Sequence, residues 1–192
     1  MRRSSSRQCS DNLPQKLKSY AALSSGFIAM TPALNAQVVH TDLNPDECHG
    51  SGYSMVTPSM YHLDMDLDGN DDFIFRADYQ YGSWGSVFRS VRVMPQGNNE
   101  VMVSSVPSQQ FGWTSGTMVL PATLGYGDLI GSSGSWQGGA RYLAARHNTE
   151  TGQPTHITHW LGTTDQSIGV KFEISGQWHL GWIRIDVSGY NA

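Results

Sequence analysis

The chain has 192 residues, of which 39% are hydrophobic and 15% charged; both shares fall below the roughly 45–50% and 25% of an average globular domain, with glycine, serine and threonine making up the difference. The formal net charge of −4 and the scattered basic residues exclude the basic face of a nucleic-acid binder, and no apolar run reaches the roughly 18–20 residues that a membrane-spanning helix requires. What remains is the composition of an extracellular, turn-rich β protein of one domain.

Residues 1–36 differ from everything after them. Arg2, Arg3, Arg7, Lys16 and Lys18 make a basic start, Tyr20 to Met30 is mostly apolar and small, and Pro32-Ala33-Leu34-Asn35-Ala36 offers a small-residue cleavage site. That layout predicts a secretory signal peptide over 1–36 and an exported domain over 37–192. The other reading, an amphipathic helix of the folded domain, lacks a clean apolar stripe because Ser24 and Ser25 interrupt the run. Removing 1–36 takes away five of the 12 basic residues and one of the 16 acidic ones, leaving an acidic domain. Cys48 is then its lone cysteine, so no disulfide within the chain is expected.

From Gln37 onward, short alternating runs separated by Gly, Asn, Asp and Pro replace any period of 3.6. Tyr61, Leu63, Met65 and Leu67 form one alternating set, and Phe73, Phe75, Ala77 and Tyr79 a second. Val87, Val91 and Val93 lead through Pro95-Gln96-Gly97-Asn98-Asn99 to Val101 and Val103, the pattern of a hairpin. Leu120-Pro121-Ala122 marks a break, Tyr126 to Ile130 has the makings of a short strand, and Ala140 to Ala145 fits a helical turn as well as a strand. Ile168, Val170, Phe172 and Ile174 run into Ser175-Gly176-Gln177, and Trp178 to Val187 returns, the clearest hairpin in the sequence. These spacings predict an all-β fold, an antiparallel, jelly-roll-like sandwich, since the crossover helices of a βαβ fold are missing.

One motif carries coordination chemistry. Residues 64–72 read D-x-D-x-D-G-x-x-D. Asp64, Asp66, Asp68, Asn70 and Asp72 occupy alternate positions of a loop that Gly69 allows to turn sharply, and oxygen ligands so spaced suit calcium, which takes 6–8 of them at roughly 2.3–2.6 Å. Five carboxylates in nine residues repel one another unless a cation compensates them. Position twelve is Phe75 in place of Glu and no helix flanks the loop, which excludes an EF-hand proper. A solvated turn without an ion is the competing reading.

The segment resembles the EF-hand-like calcium loops of FG-GAP (integrin-type), thrombospondin type 3 and dockerin sequences, and its strand-loop-strand setting is most similar to the FG-GAP kind. A wider resemblance joins Val38-Val39-His40-Thr41-Asp42-Leu43-Asn44-Pro45-Asp46, the acidic loop, Ile168-Gly169-Val170-Lys171-Phe172 and His179-Leu180-Gly181-Trp182-Ile183-Arg184. Together these look like a group of uncharacterised bacterial secreted proteins that often carry a C-terminal surface-sorting tail. The resemblance implies export and a calcium loop and brings no biochemical activity with it. The sequence stops at Tyr190-Asn191-Ala192, so such a tail is expected to be absent or truncated.

Other constellations fail on spacing. His156 and His159 would point to opposite faces of a strand, and with His147 they lack partners at zinc-finger spacing. Gly131-Ser132-Ser133-Gly134-Ser135 lacks the second glycine of a nucleophile elbow, and outside the loop there is no evident pair of carboxylates for glycoside hydrolysis. The expectation is therefore a non-enzyme. Six tryptophans remain, core residues by default. Trp84 and Trp136 sit in Gly/Ser-rich surroundings, and Trp178 and Trp182 share one face of the last strand, so these four are the candidate ligand platforms. The functional expectation is a calcium-stabilised, non-catalytic extracellular or cell-surface binding or adhesion module, whose partner is unidentified and would be a carbohydrate or another surface protein. The alternative is a jelly-roll carbohydrate-active enzyme or carbohydrate-binding domain.

Overall fold

The computed structural model describes residues 58–82, 85–107, 116–148, 155–157 and 159–189. All belong to one compact unit, His49–Ala192. Residues 1–36, the Val38–Asp46 opening, Cys48, Trp84 and Trp113 lie outside the described residues.

Among the described residues, ten strands form two antiparallel sheets. The first contains β1 (Ser59–Leu63), β2 (Phe73–Tyr81), β3 (Val87–Pro95), β7 (Arg141–Asn148) and β8 (Thr155–Ile157), in the order β1-β2-β3-β7-β8. The second runs β10-β9-β4-β5, from β4 (Glu100–Pro107), β5 (Thr117–Pro121), β9 (Thr163–Ile174) and β10 (Gln177–Val187), with β6 (Trp136–Gln137) also paired to β4. Among the described residues there is no helix long and apolar enough to cross a membrane.

Alternation builds the core. Phe73, Val91 and Val93 of the first sheet meet Val101, Val103, Ile168, Val170 and Phe172 of the second in one cluster, each fully buried aliphatic or aromatic side chain contributing about 1.5–3 kcal/mol. Trp160, in the turn between β8 and β9, is wholly buried in that cluster, and its indole N–H donates to the carbonyl of Pro121 at 2.9 Å. On β7 both Leu143 and Ala144 are buried. A bulge makes this possible: Val91 pairs with Ala144 and Arg92 with Tyr142, so Leu143 is the extra residue and the two-residue period is broken. The segment read as a helical turn or strand is thus strand from Arg141 onward.

Three expectations are corrected. The turn 95–99 does not join a hairpin, because β3 pairs with β2 and β7 while β4 pairs with β5, β6 and β9; it carries the chain from one sheet to the other, so that Val93 and Val101 enter the core from opposite sides. Residues 126–130 form no strand; the ordered backbone contact lies just before them, where Leu124 and Ser167 exchange hydrogen bonds at 2.9 and 2.8 Å. The first alternating run stops at Leu63, and Leu67 is exposed with φ of 61°. The β9–β10 hairpin is as read, its turn residues Ser175 and Gly176 both at positive φ (50° and 81°), the geometry of a primed turn that suits strand twist.

Candidate metal centre

The acidic loop links β1 to β2 and closes where the N–H of Asp72 donates to the carbonyl of Leu63 at 2.8 Å. Its shape comes from its own carboxylates. Asp64 accepts the backbone N–H groups of Leu67 (2.7 Å), Asp68 (3.3 Å) and Gly69 (2.8 Å), so the chain wraps around that side chain and Leu67 is pulled off any strand path. Asp66 accepts the N–H of Asp68 at 3.1 Å, and Asp68 that of Asn70 at 2.8 Å. These are successive side-chain-to-backbone turns of the kind short polar residues favour. Gly69, at φ of 91°, holds the position that the sharp turn demands.

Three carboxylates converge. Single oxygens of Asp64, Asp66 and Asp72 all lie within 4.8 Å of one another, a separation that two calcium–oxygen bonds of about 2.4 Å can span. An all-oxygen, all-carboxylate set selects a hard cation. The other two residues of the motif are placed differently. Asp68 is engaged with Asn70, whose side-chain nitrogen donates to both of its oxygens at 3.1 Å, and neither belongs to the convergent group. Asp71 turns away to His62, 2.6 Å from its Nδ1.

Desolvation and charge act unequally on these carboxylates. For Asp64 desolvation is the largest influence and raises its pKa, yet the N–H groups of Gly69, Leu67 and Asp68 together outweigh it and hold the carboxyl below its ordinary value. Asp66 is pushed up, first by desolvation and then by the negative charges of Asp68, Asp72 and Asp64. The loop thus favours the charged form of Asp64 and disfavours that of Asp66, and a nearby cation would offset the second effect.

Asp72 is the anchor. Its Oδ2 accepts the N–H of Met65 at 2.7 Å and its Oδ1 the side-chain N–H of Asn99 at 2.8 Å. Asn99 is itself buried, and its Oδ1 accepts the N–H of Glu173 at 3.1 Å. One amide therefore ties the loop of the first sheet to β9 of the second. Sequence reading missed Asn99, which stood among the turn residues with no spacing signal to mark it. Beside the loop lies an open cleft of about 370 Å³, lined among others by Asp66, Asp68, Asn70, Asn98 and Glu173.

The candidate aromatic platforms divide. Trp136 is half-buried in β6 opposite Met102, its indole N–H donating to the carbonyl of Gly131 at 3.2 Å. Trp178, Leu180 and Trp182 are 48%, 42% and 44% exposed and form an outward stripe on β10, the edge of its sheet. Lys171 places its Nζ over the Trp178 ring at 4.4 Å and also pairs with Glu100 at 2.6 Å. No histidine joins a metal-holding group among the described residues. No family model, curated protein or solved structure matches the chain.

Proposed function

We propose that this chain is an exported, non-catalytic binding or adhesion module of the extracellular or cell-surface kind, with a calcium ion organising the loop 64–72. The observation that carries the reading is the convergence of Asp64, Asp66 and Asp72 oxygens within 4.8 Å, in a loop of the D-x-D-x-D-G-x-x-D pattern. The leader-like residues 1–36 and the resemblance to secreted proteins and FG-GAP-type loops support export and calcium. In this reading Asp64, Asp66 and Asp72 supply protein ligands, and Asp68 and Asn70 complete the shell by turning their oxygens inward. The ion would neutralise charge that no Lys or Arg of the loop offsets.

The test is a thermal melt with millimolar calcium and with chelator. Extracellular calcium modules bind at about 10⁻⁴–10⁻³ M, and ligand binding to the native state stabilises by RT ln(1 + [L]/Kd), so about 5 mM calcium should add about 1–2 kcal/mol. An unchanged melting temperature removes calcium from the account. A second reading, a carbohydrate-binding domain, is favoured by the exposure of Trp178 and Trp182, since an indole face left in water is a surface on which a sugar ring can stack; a glycan array tests it directly.

A further inference from the structure

Among the described residues β10 is an edge strand of 11 residues, and edge strands invite pairing with another chain unless charge, proline or a bulge protects them. Protection here comes late. Arg184 and Asp186 lie near the C-terminal end, and the bulge falls between Ile185 and Val187. The regular stretch is Gln177–Ile185, whose midpoint is Gly181. Its outward stripe is Trp178, Leu180 and Trp182, all more than two-fifths exposed.

We propose that this edge pairs with the same edge of a second copy, antiparallel about a two-fold axis at Gly181, to continue the sheet across a homodimer. A two-fold contact must be self-complementary, and this register is. Leu180 falls opposite the second copy's Trp182 and Trp178 opposite its Arg184, each twice. Gly181 faces Gly181, so no side chains collide where the strands cross. Lys171 covers the face of the Trp178 ring turned toward β9, which leaves the other face for the incoming guanidinium, an attractive cation–π arrangement. Arg184 is free to serve: its one ion pair, to Asp165, is long at 3.9 Å and exposed. Long-range charge selects the same geometry. The turn 175–176 borders the cleft that Asp66, Asp68 and Asp72 line, so an antiparallel pair sets the two acidic ends apart, whereas a parallel pair would stack them. A register shifted to Trp182 would oppose Trp178 with Asp186 and Leu180 with Arg184, losing both matches.

Sedimentation velocity on the purified chain from about 1 to 500 μM, in calcium and in chelator, should show a concentration-dependent dimer. Leu180→Lys and Trp182→Lys should each weaken association by about 100-fold or more, and Arg184→Glu by about 10-fold, with melting temperatures close to that of the parent because all three side chains are exposed. With Cys9 and Cys48 changed to Ser, the double variant Leu180→Cys/Trp182→Cys should form a disulfide-linked dimer under mild oxidation, and Trp182→Cys alone should not. A chain that stays monomeric throughout overturns the proposal, including one whose stripe takes up an oligosaccharide or peptide. So does a dimer unaffected by Leu180→Lys and Trp182→Lys. Cross-linking by the single cysteine as efficient as by the pair overturns the register.

Discussion

Asp72 and Asp78 lie six residues apart and are buried almost alike, at 8% and 2% exposure, yet they are satisfied in opposite ways. Asp78 sits on β2 between two guanidinium groups, accepting from Arg76 Nε at 2.7 Å and Arg92 Nη2 at 2.6 Å. It also separates two arginines that stand directly opposite each other across β2 and β3, where like charges would otherwise repel. Asp72 accepts from neutral donors, the N–H of Met65 and the amide of Asn99, and its charged neighbours are Asp64 and Asp66. A buried charge is costly unless paired. Asp78 is paired within the protein; at Asp72 the partners are neutral, and in the proposed reading the counter-charge is a calcium ion. The same residue type is thus an ion-paired pin in one place and part of a cluster of like charges in the other.

The largest effect should come from breaking the internally paired one. Asp78→Ala leaves two facing arginines without their anion and should cost about 3–5 kcal/mol, equally in calcium and in chelator, as read by urea denaturation. Asp66→Asn should separate the two cases by sign. It relieves repulsion in the loop, so the variant should melt slightly above the parent in chelator and below it in saturating calcium, with calcium affinity reduced about 10-fold or more as a ligand charge is lost. Isothermal titration and paired melts check both halves, and an unchanged affinity would break the contrast.

A smaller effect belongs to His159, in the turn before β9. Desolvation lowers its pKa, and its Nε2 is buried without a partner. The unfolded chain therefore takes up a proton first as pH falls through the ordinary imidazole value of about 6.5, and stability should decline until the folded-state pKa is passed. Melts between about pH 7 and 5 should show a drop of a few degrees that His159→Gln reduces. The smallest effect is at Leu67, 87% exposed at positive φ. Leu67→Asn should gain about 0.5–1 kcal/mol, because Asn tolerates that conformation and no burial is lost.

Particular residues explain what the sequence could and could not reveal. The β9–β10 hairpin was legible because Ile168, Val170 and Phe172 alternate strictly and Ser-Gly suits its turn. The same turn chemistry at 95–99 misled: Gly97 and two asparagines make a reversal whether the strands then pair or part, and the decision lies in where Val93 and Val101 find cover. In the loop, spacing brought out Asp64, Asp66 and Asp72 because they are near in sequence. It said nothing of Asn99, 27 residues from Asp72, since a long-range hydrogen bond leaves no local pattern. Met65 and Leu67 were drawn into a strand by alternation; the Asp64 carboxylate, by capturing three N–H groups, overrode it.

Asn99 has a consequence for how the two sheets come apart. Its side chain holds Asp72 with one end and the Glu173 amide with the other, so unravelling of residues 64–72 should expose a proton on the far sheet to solvent exchange. The Glu173 amide can therefore act as a built-in gauge of the loop's order, readable by deuterium uptake at a position that touches no ion.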